Sequence, residues 1–113
     1  MQSLLTRFAK IDGVFGANDP TAIGADLAAK QLNRKEMIIA GVDGSPDIVA
    51  SLKSKNSLIV SSASQDPYGM AKKAAEMAVA LLAGKKPEKE VTLLDTTLVT
   101  KENVASYVGW DAH

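Results

Sequence analysis

Three polar side chains stand just ahead of prolines in a repeated pattern. They are Asn18 in Asn18-Asp19-Pro20, Asp43 in Asp43-Gly44-Ser45-Pro46, and Gln65 in Gln65-Asp66-Pro67. An amide carries one acceptor oxygen and two donor hydrogens, and a carboxylate offers several lone-pair sites. An amide–acid–amide set therefore suits vicinal hydroxyls, each of which both donates and accepts. It suits a metal ion poorly, because a cation cage needs more carboxylates or imidazoles. It suits phosphate poorly as well, for want of arginine, lysine or a glycine-rich cradle. Asn and Asp are common turn formers, so one such residue alone means little. Three at equivalent points favour a ligand.

The hydrophobic pattern supplies elements to hold them. Gln2 to Lys10 reads as a short helix, and Ile11, Val14 and Phe15 as a strand ending near Ala17. Pro20 to Leu32 reads as a helix, with Ile23, Leu27 and Leu32 near helical spacing. Met37 to Val42 is a continuous apolar run of the kind found in strands buried on both faces. Pro46 to Lys53 is a further helix turning Ile48, Val49 and Leu52 inward, and Leu58 to Ala63 a third strand. Pro67 to Ala83 is the longest helix, striped by Met70, Ala74, Met77, Ala78 and Leu81, with Gly84 as its C-cap glycine. Val91 to Val99 reads as a fourth strand, and Glu102 to Tyr107 as a short helical turn.

Strands alternating with helices predict a mostly parallel α/β sheet in three layers, with helices on both faces. Proline at a first helical position lacks an N–H that would be unpaired anyway. Asp19, Ser45 and Asp66 just before it are the expected caps. Asn18, Asp43 and Gln65 then fall at carboxyl ends of successive strands, 25 and 22 residues apart. Open parallel sheets bind ligands in the crevice at those ends.

Other residues point to packing rather than chemistry. Ser61, Ser62 and Ser64 lack a G-x-S-x-G setting and read as strand surface. His113 is the last residue, where a frayed end is expected. Gly84-Lys85-Lys86 follows a helix and lacks the earlier glycine of a phosphate loop. Met70 and Met77 read as helix core, and the lysines at 72, 73, 85, 86 and 89 as solvated. Tyr107 and Trp110 read as anchors for the tail, with stacking on a sugar ring the lesser alternative. No nucleophile, base and orienting group converge, so an enzyme is not expected.

The chain of 113 residues suffices for one small core, and 46% apolar residues argue against disorder. Its formal net charge is zero, which gives no electrostatic reason to expect nucleic acid or an anionic membrane. With no cysteine, disulfides and thiolate metal sites are excluded. No cofactor is expected. Apolar stretches fall short of the ~20 residues of a membrane helix.

At these motifs the chain resembles a known family. Residues 11–25 (IDGVFGANDPTAIGA) are similar to its segment with an Asn-Asp pair after a strand. Residues 39–47 (IAGVDGSPD) resemble its next strand and aspartate loop, and residues 61–67 (SSASQDP) its third strand and hinge entry. Residues 98–104 (LVTKENV) look like its C-terminal strand and tail. The family is the ribose-type periplasmic sugar-binding proteins, of periplasmic-binding-protein type I fold, related to the effector domains of LacI-type repressors.

The resemblance implies two α/β lobes joined by three hinge crossings and closing on a monosaccharide. It implies that Asn18, Asp43 and Gln65 bond sugar hydroxyls. It assigns residues 1–65 to the C-terminal lobe, 66–94 to an element of the N-terminal lobe, and 95–113 to the return and tail. The partners implied are a monosaccharide and the permease of a bacterial ABC importer, in the periplasm. The chain is much shorter than a full member and is expected to be a C-terminal fragment, with any signal peptide upstream. The aromatic residues that sandwich the sugar and an Asp-Arg pair are then expected outside it. Alone it is expected to bind sugar weakly or not at all. With the apolar stripe of its long helix uncovered, it should dimerise, swap domains, recruit a missing half or fold that helix back. The rival reading is a sugar-sensing effector domain of a LacI-type repressor. A flavodoxin-like or response-regulator-like domain fits less well, since no phosphate loop or acidic cluster follows the first strand.

Overall fold

The computed structural model describes residues 1–110; His113 lies outside them. Eight elements follow one another: α1 (Gln2–Arg7), β1 (Gly13–Phe15), α2 (Asp19–Gln31), β2 (Ile38–Asp43), α3 (Pro46–Lys53), β3 (Ile59–Ser64), α4 (Pro67–Leu82) and β4 (Leu98–Thr100). The strands lie in chain order in one sheet. The first three are parallel, and β4 runs antiparallel to β3. This is the mixed α/β sheet expected.

The core is small and aliphatic. Ile39, Ile48, Ile59 and Val99 are fully enclosed between the sheet and α2 and α3. The buried side of α2 is not the expected Ile23, Leu27 and Leu32 stripe. Leu27 and Leu32 are exposed, and Ala22, Ala25, Ala28 and Ala29 face inward. Methyl groups let the helix ride close to β2, where Gly41 and Ala22 approach each other.

Helices α2 and α3 touch the sheet and each other, as crossovers of one hand between neighbouring parallel strands would place them. They form one helix layer. The other face carries Phe15, Ile38 and Leu98, all more than half exposed. The second layer expected there is supplied by neither α2 nor α3.

The fourth strand is shorter than expected: Leu98–Thr100 pairs with β3, Thr97 is bonded to Ser64, and residues 92–96 run beside α4. Helix α4 has no buried residue. Its Met70, Ala74 and Met77 face Leu93 and Leu94 across a groove of about 440 Å³. The helix does not fold back onto the sheet; it projects with residues 85–96 as an arm. The arm raises the radius of gyration to 17.9 Å, against about 13 Å for a compact chain of this length.

Helix α1 ends at Arg7, three residues before the expected Lys10. Arg34 explains the stop. Its guanidinium donates to the carbonyls of Leu5 (2.7 Å), Phe8 (3.2 Å) and Ala9 (2.9 Å), and pairs with Glu36. The hydrogen bond and charge of Arg34 hold the Glu36 carboxyl down at about 2, against an ordinary 4.5. A lowered carboxyl contributes stability that is present above the ordinary value and lost as pH falls through the lowered one. The docking of α1 is therefore expected to persist from pH 7 to pH 4.5 and to weaken progressively toward pH 2. Arg34→Ala should fray α1 at every pH. Amide exchange at Leu5 and Phe8 checks both outcomes.

Candidate functional site

Strands β1, β2 and β3 are adjacent and parallel, so the residues that follow them share one end of the sheet. Asn18 is the N-cap of α2. Its Oδ1 accepts the Thr21 N–H at 3.0 Å and also the Thr21 hydroxyl. That leaves its amide hydrogens to donate toward a ligand. Asp43 closes β2. Its Oδ2 accepts the Asp19 N–H at 3.1 Å, and its Oδ1 accepts Nε2 of Gln65 at 2.8 Å. Gln65 follows β3, and its backbone N–H donates to the Asp43 carbonyl at 2.7 Å. Asp43 and Gln65 are thus in direct contact. Asn18 joins them through the peptide it shares with Asp19.

Asp19 is a correction to the capping scheme. Asn18 caps α2, whereas Ser45 and Asp66 cap α3 and α4 as expected. Asp19 is instead the first helical residue, with its carboxylate fully buried. Oδ2 accepts the Ser45 N–H at 2.7 Å, and Oδ1 accepts the Ser62 hydroxyl at 2.6 Å. Ser62 Oγ in turn accepts the Gly44 N–H at 3.1 Å. The charge lies at the amino ends of both α2 and α3, where helix dipoles favour an anion. Gly41 and Ser62 are register partners that make room for it: a Cβ on Gly41 would sit 2.6 Å from Asp19 Oδ1. Sequence reasoning missed this because the register that joins Gly41, Ser62 and Asp19 spans separate βα units.

The serines of β3 are also corrected. Ser62 and Ser64 are buried, not strand surface. Ser64 Oγ accepts the Thr97 N–H at 3.1 Å and so fastens the returning chain to β3. At the opposite end of the sheet, buried Asp26 accepts the Leu58 N–H, the Ser57 hydroxyl and Lys30 Nζ. It joins α2 to the start of β3 and lies away from the candidate site.

The backbone at Asp43 is unusual, with φ of 132°. A non-glycine residue held there costs about 1–3 kcal/mol, and such strain gathers at ligand sites. Gly44 follows with φ of 71°. The tail packs over this turn. The Tyr107 hydroxyl donates to the Gly44 carbonyl at 3.1 Å, and burial pushes its phenol above the ordinary value. Trp110 Nε1 lies 3.2 Å from the Asp43 carbonyl and 3.1 Å from that of Gln65. Both aromatic residues pin the tail by hydrogen bonds. Among the described residues no group of His, Cys, Asp or Glu could hold a metal ion.

Parallel strands joined by helices, with polar side chains gathered at their carboxyl ends, define an α/β fold of the Rossmann-like kind. The family model described as a periplasmic binding protein domain matches residues 1–86. The chain belongs to that family. It is 35% identical over 92 residues to the ribose import binding protein of Bacillus subtilis, covering 81% of this chain and 29% of the relative. An ABC transporter solute-binding protein from Agrobacterium vitis with bound allitol superposes with a TM-score of 0.82 at 25% identity, covering 93% of this chain and 37% of that one. One from Actinobacillus succinogenes with bound D-allose gives 0.82 at 27% identity, with coverages of 94% and 36%. The chain spans about a third of the length of these relatives.

Replacing Asp19 by alanine leaves the Ser45 N–H and Ser62 hydroxyl without an acceptor. At about 1–3 kcal/mol for each orphaned donor, Asp19→Ala should lower the unfolding free energy by about 3 kcal/mol, read from urea titration. Asp19→Asn should lose less. A loss below about 1 kcal/mol would contradict the role given to this carboxylate.

Proposed function

We propose that this chain supplies one jaw of the monosaccharide site of a periplasmic solute-binding protein serving an ABC sugar importer, and that it performs no catalysis. One observation carries the reading. Asp43 and Gln65 meet at 2.8 Å beside the Asn18–Asp19 peptide, at the strand ends where this fold binds ligands. Asn18 offers donors, Asp43 acceptors, and Gln65 an acceptor oxygen beside its bonded NH₂. A pentose or hexose presents matching hydroxyls, and relatives named for ribose or seen with allitol and D-allose support that class. The same relatives favour transport over the repressor reading.

The division of labour along the chain follows. Residues 1–65 and 95–113 belong to one lobe and the 66–94 arm to the other, with crossings near Gln65 and Asp95. A sugar closing the cleft would select the bent conformation in which both lobes face a permease. The arm and the open sheet face leave apolar surface in water. The isolated chain is therefore expected to self-associate and to bind sugar weakly. Light scattering after size exclusion should show mass rising with concentration; a monomer at all concentrations would refute association.

The sugar reading is tested in a chimaera. This chain replaces the homologous third of the Bacillus subtilis relative, and ribose and allose are titrated by calorimetry. Asn18→Ala, Asp43→Ala and Gln65→Ala should each weaken binding by about 1–3 kcal/mol, or ~5–150-fold. Unchanged affinity in Asp43→Ala would remove that residue from the site. A further variant separates strain from recognition. Asp43→Gly should weaken binding as much as Asp43→Ala while being the more stable of the two, since glycine adopts φ of 132° freely.

A further inference from the structure

We infer that Trp110 is a positioning residue for the hydroxyl-binding site. Its indole N–H, shared between two carbonyls, fixes the spacing of Asp43 and Gln65. Nε1 lies 3.2 Å from the Asp43 oxygen and 3.1 Å from the Gln65 oxygen, so one donor spans the ends of β2 and β3.

Three features make this more than tail packing. First, the Asp43 carbonyl also accepts the Gln65 N–H at 2.7 Å. The peptide after Asp43 is thereby held from two directions, at the residue whose φ of 132° would relax if released. Second, Tyr107 grips the adjoining peptide, donating to the Gly44 carbonyl. A Cβ on Gly44 would lie 2.5 Å from the Tyr107 oxygen and 2.7 Å from Ser64 Cβ, so the grip is close. Third, Gln65 is the last residue before the Asp66 cap of the projecting α4. Trp110 therefore holds the point from which the arm departs. The indole acts through the backbone of Asp43 and Gln65, the two residues that the sugar reading makes recognise hydroxyls. Its bearing on affinity rests on the sugar-binding reading, whereas the latch itself does not.

The chain has a single tryptophan, which makes the latch directly visible. The test is amide and indole hydrogen exchange by NMR on the chain as it stands. In the wild type, the indole N–H should exchange at least tenfold more slowly than that of free tryptophan. Trp110→Phe keeps an aromatic ring and removes the donor. It should accelerate exchange at Gln65 N–H and Asp19 N–H at least tenfold. Ile39 N–H, bonded to the Leu58 carbonyl at the far end of the sheet, should change less than twofold. Uniform acceleration would mean plain loss of stability and would overturn the positioning role, as would no change at all. An unprotected indole overturns it without any variant, which matters if Trp110→Phe fails to fold. None of these readouts involves sugar. The chimaera titration decides the sugar reading separately, so either idea can fail while the other stands.

Discussion

The buried carboxylate of Asp19 is the constraint on which the carboxyl end of the parallel sheet depends. A charge enclosed without a cation must be met by hydrogen bonds, and here it is met by a backbone N–H, a hydroxyl and the amino ends of two helices. Those groups come from three separate βα units. Satisfying one anion therefore fixes the β1–α2, β2–α3 and β3 segments relative to one another. Among the described residues no buried side-chain nitrogen or oxygen lacks a partner, so the network is closed as well as buried. A closed network specifies a single arrangement, whereas a half-satisfied one would favour rearrangement.

The same constraint explains the composition around it. The carboxylate reaches Ser62 only because α2 lies close to the sheet, and α2 lies close because alanines line its inner side and Gly41 faces it. A helix with leucines inward would stand further off. On this rigid base the chain tolerates a strained turn at Asp43. Its carboxylate is bonded on both oxygens and its carbonyl is bonded twice, so the unfavourable φ is held by surrounding contacts rather than by local preference. Asp43 and Gln65 are paired with one another, so both side chains are ordered by contacts within the chain itself.

Much of this was legible in the residues. The three Pro-initiated helices begin within a residue of where the punctuation places them, because proline in the first turn and a polar cap are local rules that need no tertiary knowledge. Asn18, Asp43 and Gln65 could be placed at the strand ends for the same reason. What was not legible depends on register. The inward turn of Asp19, the burial of Ser62 and Ser64, and the exposure of Leu27 and Leu32 follow from how strands and helices pair across long sequence distances. Periodicity on α2 chose the bulky residues, while packing chose the methyls. The extent of β4 was overestimated because β-branched residues at 91 and 92 mark strand propensity, and propensity does not supply a neighbouring strand.

The antiparallel return of β4 has a consequence for how the molecule is made. The bond from Trp110 to Asp43 joins residues 67 apart, and that from Tyr107 to Gly44 joins residues 63 apart. A ribosome delivers the three parallel strands and their helices well before it delivers the tail. During that interval the nascent sheet exists with the Asp43–Gly44 turn unfastened, and the segment carrying Tyr107 and Trp110 must emerge before that turn is held. Local order at that turn therefore lags behind the sheet that frames it, because contacts of long sequence separation form late.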